Sequence, residues 1–435
     1  MSHSLSKLGI FEVREKIATG EITAEEYISS VLEAISKYNP KVNAYISVLQ
    51  DYAIEMAKKI DQKVKENKPL GKLGGAALAI KDNISTKGIT TTCGSLMLKD
   101  YIPPYDATVV KKIQQQDGII IGKTNMDEFA MGSTTEHSYF GPTRNPWNLN
   151  KVPGGSSGGS AAAVVANMSA AALGSDTGGS IRLPAGFCGI YGLKPTYGLV
   201  SRYGLIAYAC SLEQIGPFAK SVKDLAILLD VISGRDYHDS TSVNKPRKDS
   251  YEESLKDEIN NFTVGIPKEL TGEGTDRVIV KAIYNLLDKL QDHGVSYELL
   301  SLPSLKYALP AYYIIAMSEA SSNLARFDGV RYGPKVDVEG DWNDYISEVR
   351  NFGFGDEVKR RIILGSFVLS EGYFEAYYLK ALKVKTLIIN DFKDAFKSVD
   401  ALFMPVAPTL PFDIGSKISD PLTLYLSDCL LYTSD

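Results

Sequence analysis

From Pro153 to Ser180 the chain reads PGGSSGGSAAAVVANMSAAALGSDTGGS, and in it only Met168 and Leu173 carry side chains larger than valine. Small side chains allow backbones to approach closely, so a run this poor in bulk belongs in the interior, packed against neighbouring elements. The alanine-valine run after Gly159 reads as a tightly packed helix and AAALGSD as the strand that follows it. Glycines at both ends supply the backbone freedom for two loops, GGSSGG and SDTGGS. Whatever the rest of the chain does, it has to be built around this segment.

The surrounding sequence alternates helix and strand patterns. In the first 70 residues apolar positions recur at helical spacing (Ile28, Val31, Leu32, Ile35, then Tyr52, Met56, Ile60), predicting two or three amphipathic helices. GGAALAIKDN follows as a buried strand ending at Lys81. DATVVKKIQQQDG then predicts a helix with Asp106 as N-cap and Gly118 just past its end, leading into the short strand GIIIGKT. SVKDLAILLDVISG is a further helix, capped by Ser221 and stopped by Gly234. NFTVGIP and VSYELLS read as strands flanking a helix through Leu290, residues 304 to 399 as almost wholly helical, and ALFMPVAP as a buried strand. The alternation predicts an α/β fold: a large mixed central β-sheet covered by helices on both faces, with a helical insertion.

No internal period of 20 to 50 residues marks a solenoid. We read 1–435 as one domain: N-terminal helices over 1–70, a core over 71–235, a polar surface excursion over 236–261, the remainder of the sheet with its helical insertion over 262–428, and an atypical tail over 429–435.

Composition removes several function classes. A net charge of -5 leaves no basic surplus for gripping a nucleic-acid backbone directly. No apolar run approaches the roughly 18 residues of a membrane span, and the first residues lack the apolar stretch of a secretory signal, so a cytoplasmic protein is expected. Cys93, Cys188, Cys210 and Cys429 stand singly, and His3, His137, His238 and His293 have no metal-ligand spacing, so no metal is expected.

The two glycine-serine loops carry the chemistry. Neither has the GxxxxGK[ST] order of a phosphate loop or the GxGxxG order of a dinucleotide site. A nucleophile fits better: Ser180 follows Thr177-Gly178-Gly179, whose backbone amides can converge on a developing oxyanion. A serine needs a base, and no histidine lies near either loop. Lys81, at the end of a buried strand, can serve if burial favours its neutral amine, with Ser156 as a relay between lysine and nucleophile. Alone, each of these residues has an ordinary structural explanation; their order and spacing argue for a site.

GGSSGGS, then GSDTGGSIRLPA, with IKDN upstream and the two loop serines 24 positions apart, resembles the amidase signature family of Ser-cisSer-Lys hydrolases. The resemblance implies Ser180 as the acylated nucleophile, Ser156 as the bridging serine after a cis peptide bond, Lys81 as the base, and the amides of Thr177, Gly178 and Gly179 as oxyanion hole. Beyond these motifs, NMDEFAMGSTTEHSYFGPTRNPWN, GLKPTYGLVSRYGLIAYACSLEQIGP, SEASSNLARFDGVRYG and EVKRRIILGSFVLSEGYFEAYYLKALKV resemble the A subunits of aspartyl/glutamyl-tRNA amidotransferases. That resemblance implies glutamine hydrolysis, with ammonia passed on for amidation of Glu-tRNA(Gln) or Asp-tRNA(Asn). It implies partner subunits B and C in a heterotrimer, charged tRNA reached mainly through the B subunit, and ATP and Mg used by the assembled complex, with no cofactor bound by this chain.

By the same resemblance Arg361 would hold the α-carboxylate of the substrate and Asp428 its ammonium, with Tyr312 and the Gly132-Ser133 turn lining the pocket. A bidentate arginine suits a carboxylate chemically as well. The final CLLYTSD departs from the family's pattern, which continues further, as a C-terminally truncated chain would. The alternatives are a stand-alone amidase of the same family acting on small amides, and a non-catalytic scaffold; the intact Lys81, Ser156 and Ser180 set speaks against the scaffold.

Overall fold

The computed structural model describes residues 5–244, 249–255, 261–271, 274–417 and 425. The chain divides into two compact units, Met1–Ser254 with Ala325–Lys359, and Leu255–Leu324 with Arg360–Asp435. The division after Ser254 falls inside the polar stretch read over 236–261.

In the first unit, helices α1 (Ile10–Ala18) and α2 (Ala24–Val42) precede strand β1 (Tyr45–Val48) and helix α3 (Gln50–Lys65). Thr23 and Glu26 form a reciprocal capping box at the start of α2, which satisfies two of its end amides. Strand β2 (Ala77–Lys81), helix α4 (Thr108–Gln115), strand β3 (Ile119–Thr124), helix α5 (Gly158–Val165) and strand β4 (Ala171–Asp176) follow. Helix α6 (Arg182–Cys188), strands β5 (Tyr191–Gly192) and β6 (Gln214–Ala219) and helix α7 (Val222–Ile232) complete the core.

These strands form one mixed sheet in the order β1-β3-β2-β4-β6-β5. β2 pairs in parallel with β3 and with β4, placing Lys81 opposite Thr124 and Leu78 opposite Ala171. β4 runs antiparallel to β6, from Ala171 opposite Ala219 to Asp176 opposite Gln214. Every residue of β2, β3, β4 and β6 is buried, so both faces of the central sheet are covered. This is why those strands read as continuous apolar runs without alternation.

The expectation for the small-residue stretch holds closely. All of α5 from Gly158 to Val164 is buried, and it packs on β2, β4 and α6. Ser221 caps α7 by accepting from the Asp224 amide. Asp106 does not cap α4: the helix begins after Ala107, and the Asp106 carboxylate accepts the Lys87 amide at 2.7 Å instead.

The second unit contains strands β7 (Phe262–Pro267) and β8 (Val295–Leu300) with helix α8 (Arg277–Asp292) between them. β8, β7 and β9 (Ala401–Leu402) form a separate parallel sheet in that order. The stretch ALFMPVAP contributes only those two paired residues, both partly exposed, because Pro405 and Pro408 offer no amide to a ladder. Helices α9 (Ala308–Asn323), α11 (Asp356–Leu369, in this unit from Arg360) and α12 (Tyr378–Ala395) account for the helical reading, and α10 (Trp342–Gly353) lies in the first unit. Between α9 and α10 the predicted continuous helix is interrupted by bends and irregular backbone over 327–341. Among the described residues no helix is long and apolar enough to cross a membrane.

Candidate active site

Lys81 is the last residue of β2 and is fully buried. Its Nζ lies 2.7 Å from Ser156 Oγ, 3.0 Å from Ser175 Oγ and 3.3 Å from the Ser175 carbonyl. Burial pushes this ammonium down to about 7, against the pull of Asp127 first and then of Asp176, Cys93 and Glu213. A lysine near neutrality can exist as the free amine at working pH and accept a proton.

Ser156 sits in the loop that enters α5, and the Gly155–Ser156 peptide bond is cis. Its carbonyl accepts the Asp127 amide at 3.2 Å. Glycine is required before it: a Cβ on Gly155 would fall 2.2 Å from Asp127 Oδ2 and 2.5 Å from the Thr134 nitrogen. The neighbouring Ser157 donates its amide to the Ser180 carbonyl at 3.2 Å, which draws the two glycine-serine loops together above the ends of β2 and β4.

Ser180 is 8% exposed, whereas Lys81 and Ser156 are at 0%, so of the three it is the one a substrate can reach. Among the described residues its hydroxyl has no hydrogen-bond partner, and neither have the backbone amides of Thr177, Gly178 and Ser180. Gly179 departs from the expectation. Its amide, held at φ +120°, donates to Asp176 Oδ1 at 2.7 Å, so the free donors of the loop are Thr177, Gly178 and Ser180 itself.

Asp176, at the end of β4, organises this loop. Its carboxylate accepts the amides of Gly179, Ile181 and Arg182 and is held bidentately by the Arg182 guanidinium at 3.1 and 2.9 Å. Burial works to raise this carboxyl, but the Arg182 charge and the donated amides outweigh it and hold it well below the usual carboxylate range. Beneath Lys81, Ser175 Oγ also accepts from Asn83 Nδ2 at 2.9 Å. Asp127, Asp176, Arg182, Ser175 and Asn83 were not singled out from the sequence. For Asp176 and Arg182 the signal was there, flanking the nucleophile within GSDTGGSIR.

Gly132 and Ser133 belong to the loop whose next residues, Thr134 and Thr135, donate their amides to Asp127 Oδ2, so they are tied to the Ser156 loop. Tyr312 and Arg361 lie in the second unit, both buried. There the Tyr312 ring meets Tyr313 edge-on at 5.1 Å, and the Arg361 guanidinium carbon lies 5.4 Å from the ring centroids of both Tyr313 and Tyr425. Asp428 and the tail over 429–435 lie outside the described residues. Among the described residues no group of three or more His, Cys, Asp or Glu side chains is arranged to hold a metal ion.

The sequence profile of the Amidase family matches residues 26–434. The A subunit of the glutamyl-tRNA(Gln) amidotransferase of Methanosarcina barkeri is 55% identical over 97% of this chain and 86% of its own length. The A subunit numbered 2 of the Clostridium acetobutylicum glutamyl-tRNA(Gln) amidotransferase is 53% identical over 97% of this chain and 88% of its own. The crystal structure of the glutamyl-tRNA(Gln) amidotransferase A subunit of Thermotoga maritima superposes with a TM-score of 0.78 at 42% identity, covering 99% of this chain and 85% of that one. With two serine loops and a buried lysine assembled at the ends of a mixed sheet, and with likeness of this extent, the chain belongs to the amidase signature family.

Proposed function

We propose that this chain is the glutamine-hydrolysing A subunit of a tRNA-dependent amidotransferase. The observation that carries the reading is the 2.7 Å contact between the buried Lys81 amine and Ser156, in a loop bonded directly to that of Ser180. A neutral Lys81 has two N–H groups, which the Ser175 carbonyl and hydroxyl accept; its lone pair is left for the Ser156 proton.

Ser180 Oγ attacks the side-chain amide carbon of glutamine, passing its proton to Ser156 Oγ as Ser156 passes its own to Lys81. The tetrahedral oxyanion is met by the amides of Thr177, Gly178 and Ser180. Collapse breaks the C–N bond, and Lys81 returns a proton through Ser156 to the departing nitrogen, which leaves as ammonia. Water then enters by the same route, releasing glutamate from the acyl-enzyme. The resemblance to the family supports binding roles in the same proposal: Arg361 for the α-carboxylate, Asp428 for the α-ammonium, and Tyr312 and the Gly132-Ser133 turn as further substrate-binding residues.

The names of the relatives, A subunits of glutamyl-tRNA(Gln) amidotransferases, support Glu-tRNA(Gln) as acceptor and further partner subunits. As part of the same proposal, those partners are subunits B and C, B binds most of the tRNA, and the assembly consumes ATP and Mg in the cytoplasm. The test is ammonia release from glutamine, with and without partner subunits and charged tRNA. Ser180→Ala should lower it by at least about 10³-fold. Wild-type release by that variant would sink the mechanism, and partner-independent activity that favours simple amides over glutamine would indicate a stand-alone amidase.

A further inference from the structure

Asp127 has no part in the proton transfers above, yet it is fully buried between the Ser156 loop and the segment over 132–137. Among the described residues no lysine, arginine or histidine forms an ion pair with it. Its oxygens accept backbone amides only: Thr134 at 3.3 Å and Thr135 at 2.8 Å on Oδ2, His137 at 3.1 Å on Oδ1. Its own amide donates to the Ser156 carbonyl.

Glycines make room for the carboxylate on both sides. A Cβ on Gly155 would meet Oδ2, and one on Gly132 would lie 2.6 Å from Oδ1. The segment it gathers is strained, with Phe129, Ala130 and Thr135 in the left-handed region at φ 49°, 61° and 59°. Non-glycine residues are strained there and persist where their surroundings over-determine them.

The charge also acts on Lys81. Of the four groups acting on that amine, Asp176 is neutralised by Arg182, burial keeps the Cys93 thiol protonated, and Glu213 acts last and most weakly. Asp82, next in sequence, is matched by Lys123 at 3.2 Å. Asp127 is the strongest of the four and has no counter-ion of its own among the described residues.

We propose that Asp127 is a positioning residue for the reaction: its carboxylate locks the Gly132-Ser133 turn to the Ser156 loop, and its negative charge is the standing partner of the Lys81–Ser156 pair. This rests on the reading of Lys81, Ser156 and Ser180 as the hydrolytic set. An uncompensated charge near a buried base has a sign that a merely structural residue lacks. Removing it makes Lys81 easier to deprotonate, so the active form appears at lower pH.

The experiment compares wild type, Ser180→Ala and Asp127→Asn, in the assembly that carries wild-type ammonia release, over a pH series. For Asp127→Asn the acid limb of kcat/KM moves to lower pH by about half a unit or more, and KM for glutamine rises about tenfold. Should that variant not fold, Asp127→Glu, which keeps the charge but has no room for a longer side chain between Gly155 and Gly132, raises KM at least about fivefold with the limb shifted by less than about half a unit. An unchanged KM in Asp127→Glu, or an unmoved limb in folded Asp127→Asn, overturns the proposal. Persisting hydrolysis by Ser180→Ala instead overturns the hydrolytic set itself and takes this proposal with it.

Discussion

At the scale of single residues, the site turns on what burial does to Lys81. Its ammonium falls from 10.5 to about 7, so glutamine hydrolysis rises with pH through about 7 as the free amine is formed. The same shift sets a stability profile. Between about 7 and 10.5 the unfolded chain binds the proton that the folded chain has shed, so folding stability climbs across that window and is lost as pH falls through the lower value. Lys81→Met fills similar volume without the burial penalty. At pH 7 we expect it to abolish ammonia release while raising unfolding stability by about 1–3 kcal/mol, read by denaturant titration; a less stable variant would contradict the assignment. The gathering of Lys81, Ser156 and the Ser180 loop was legible in the sequence because the motifs stand in a fixed order at the ends of buried strands. Asp127 and Asp176 were not, because a carboxylate that binds backbone amides has no periodicity and its partners are set by the fold. Asp106 erred the other way, since a distant Lys87 amide took the oxygen that a local cap would have used.

At the scale of elements, α5 and β4 show how the sequence dictates closeness. Their side chains are small because the helix lies directly on the sheet, where Gly159 already comes so near that a Cβ would meet the Asn125 carbonyl at 2.4 Å. Ala162 is fully buried in this contact. Ala162→Leu should cost about 1–3 kcal/mol in thermal or urea unfolding, and a neutral result would mean that the layer has slack. Such packing was readable because a run of small residues between two glycine loops excludes a surface role. The weak strands were harder: β8 has only Val295 fully buried, and ALFMPVAP is apolar yet pairs at just two positions. Hydrophobicity gave the right type for both and the wrong extent for the second, because ladder length depends on proline placement and on partners distant in sequence.

At the scale of the whole molecule, the fold class followed from alternation, whereas the division into two sheets did not. Nothing in NFTVGIP says that it joins β8 and β9 and stays apart from the central six strands, because register partners are chosen by topology. The two sheets differ in protection. β2 and β4 are buried throughout, while every residue of β8 from Ser296 to Leu300 is exposed or partly so. Native-state hydrogen exchange should show amides of β2 and β4 outlasting those of β8 by at least about 100-fold, and equal protection would contradict the burial pattern.

The crowding around the two serine loops also bears on how such a protein can change over generations. Hydrolytic groups set among side chains that cannot grow leave few neutral steps open to mutation, so this part of the chain is a poor place to search for new specificity. A library varied over 153–180 should return mostly inactive or unfolded clones. If Tyr312 and Arg361 bind substrate as proposed, a library varied around them and Tyr313, where larger and more diverse side chains already coexist, should be where altered amide preference is found.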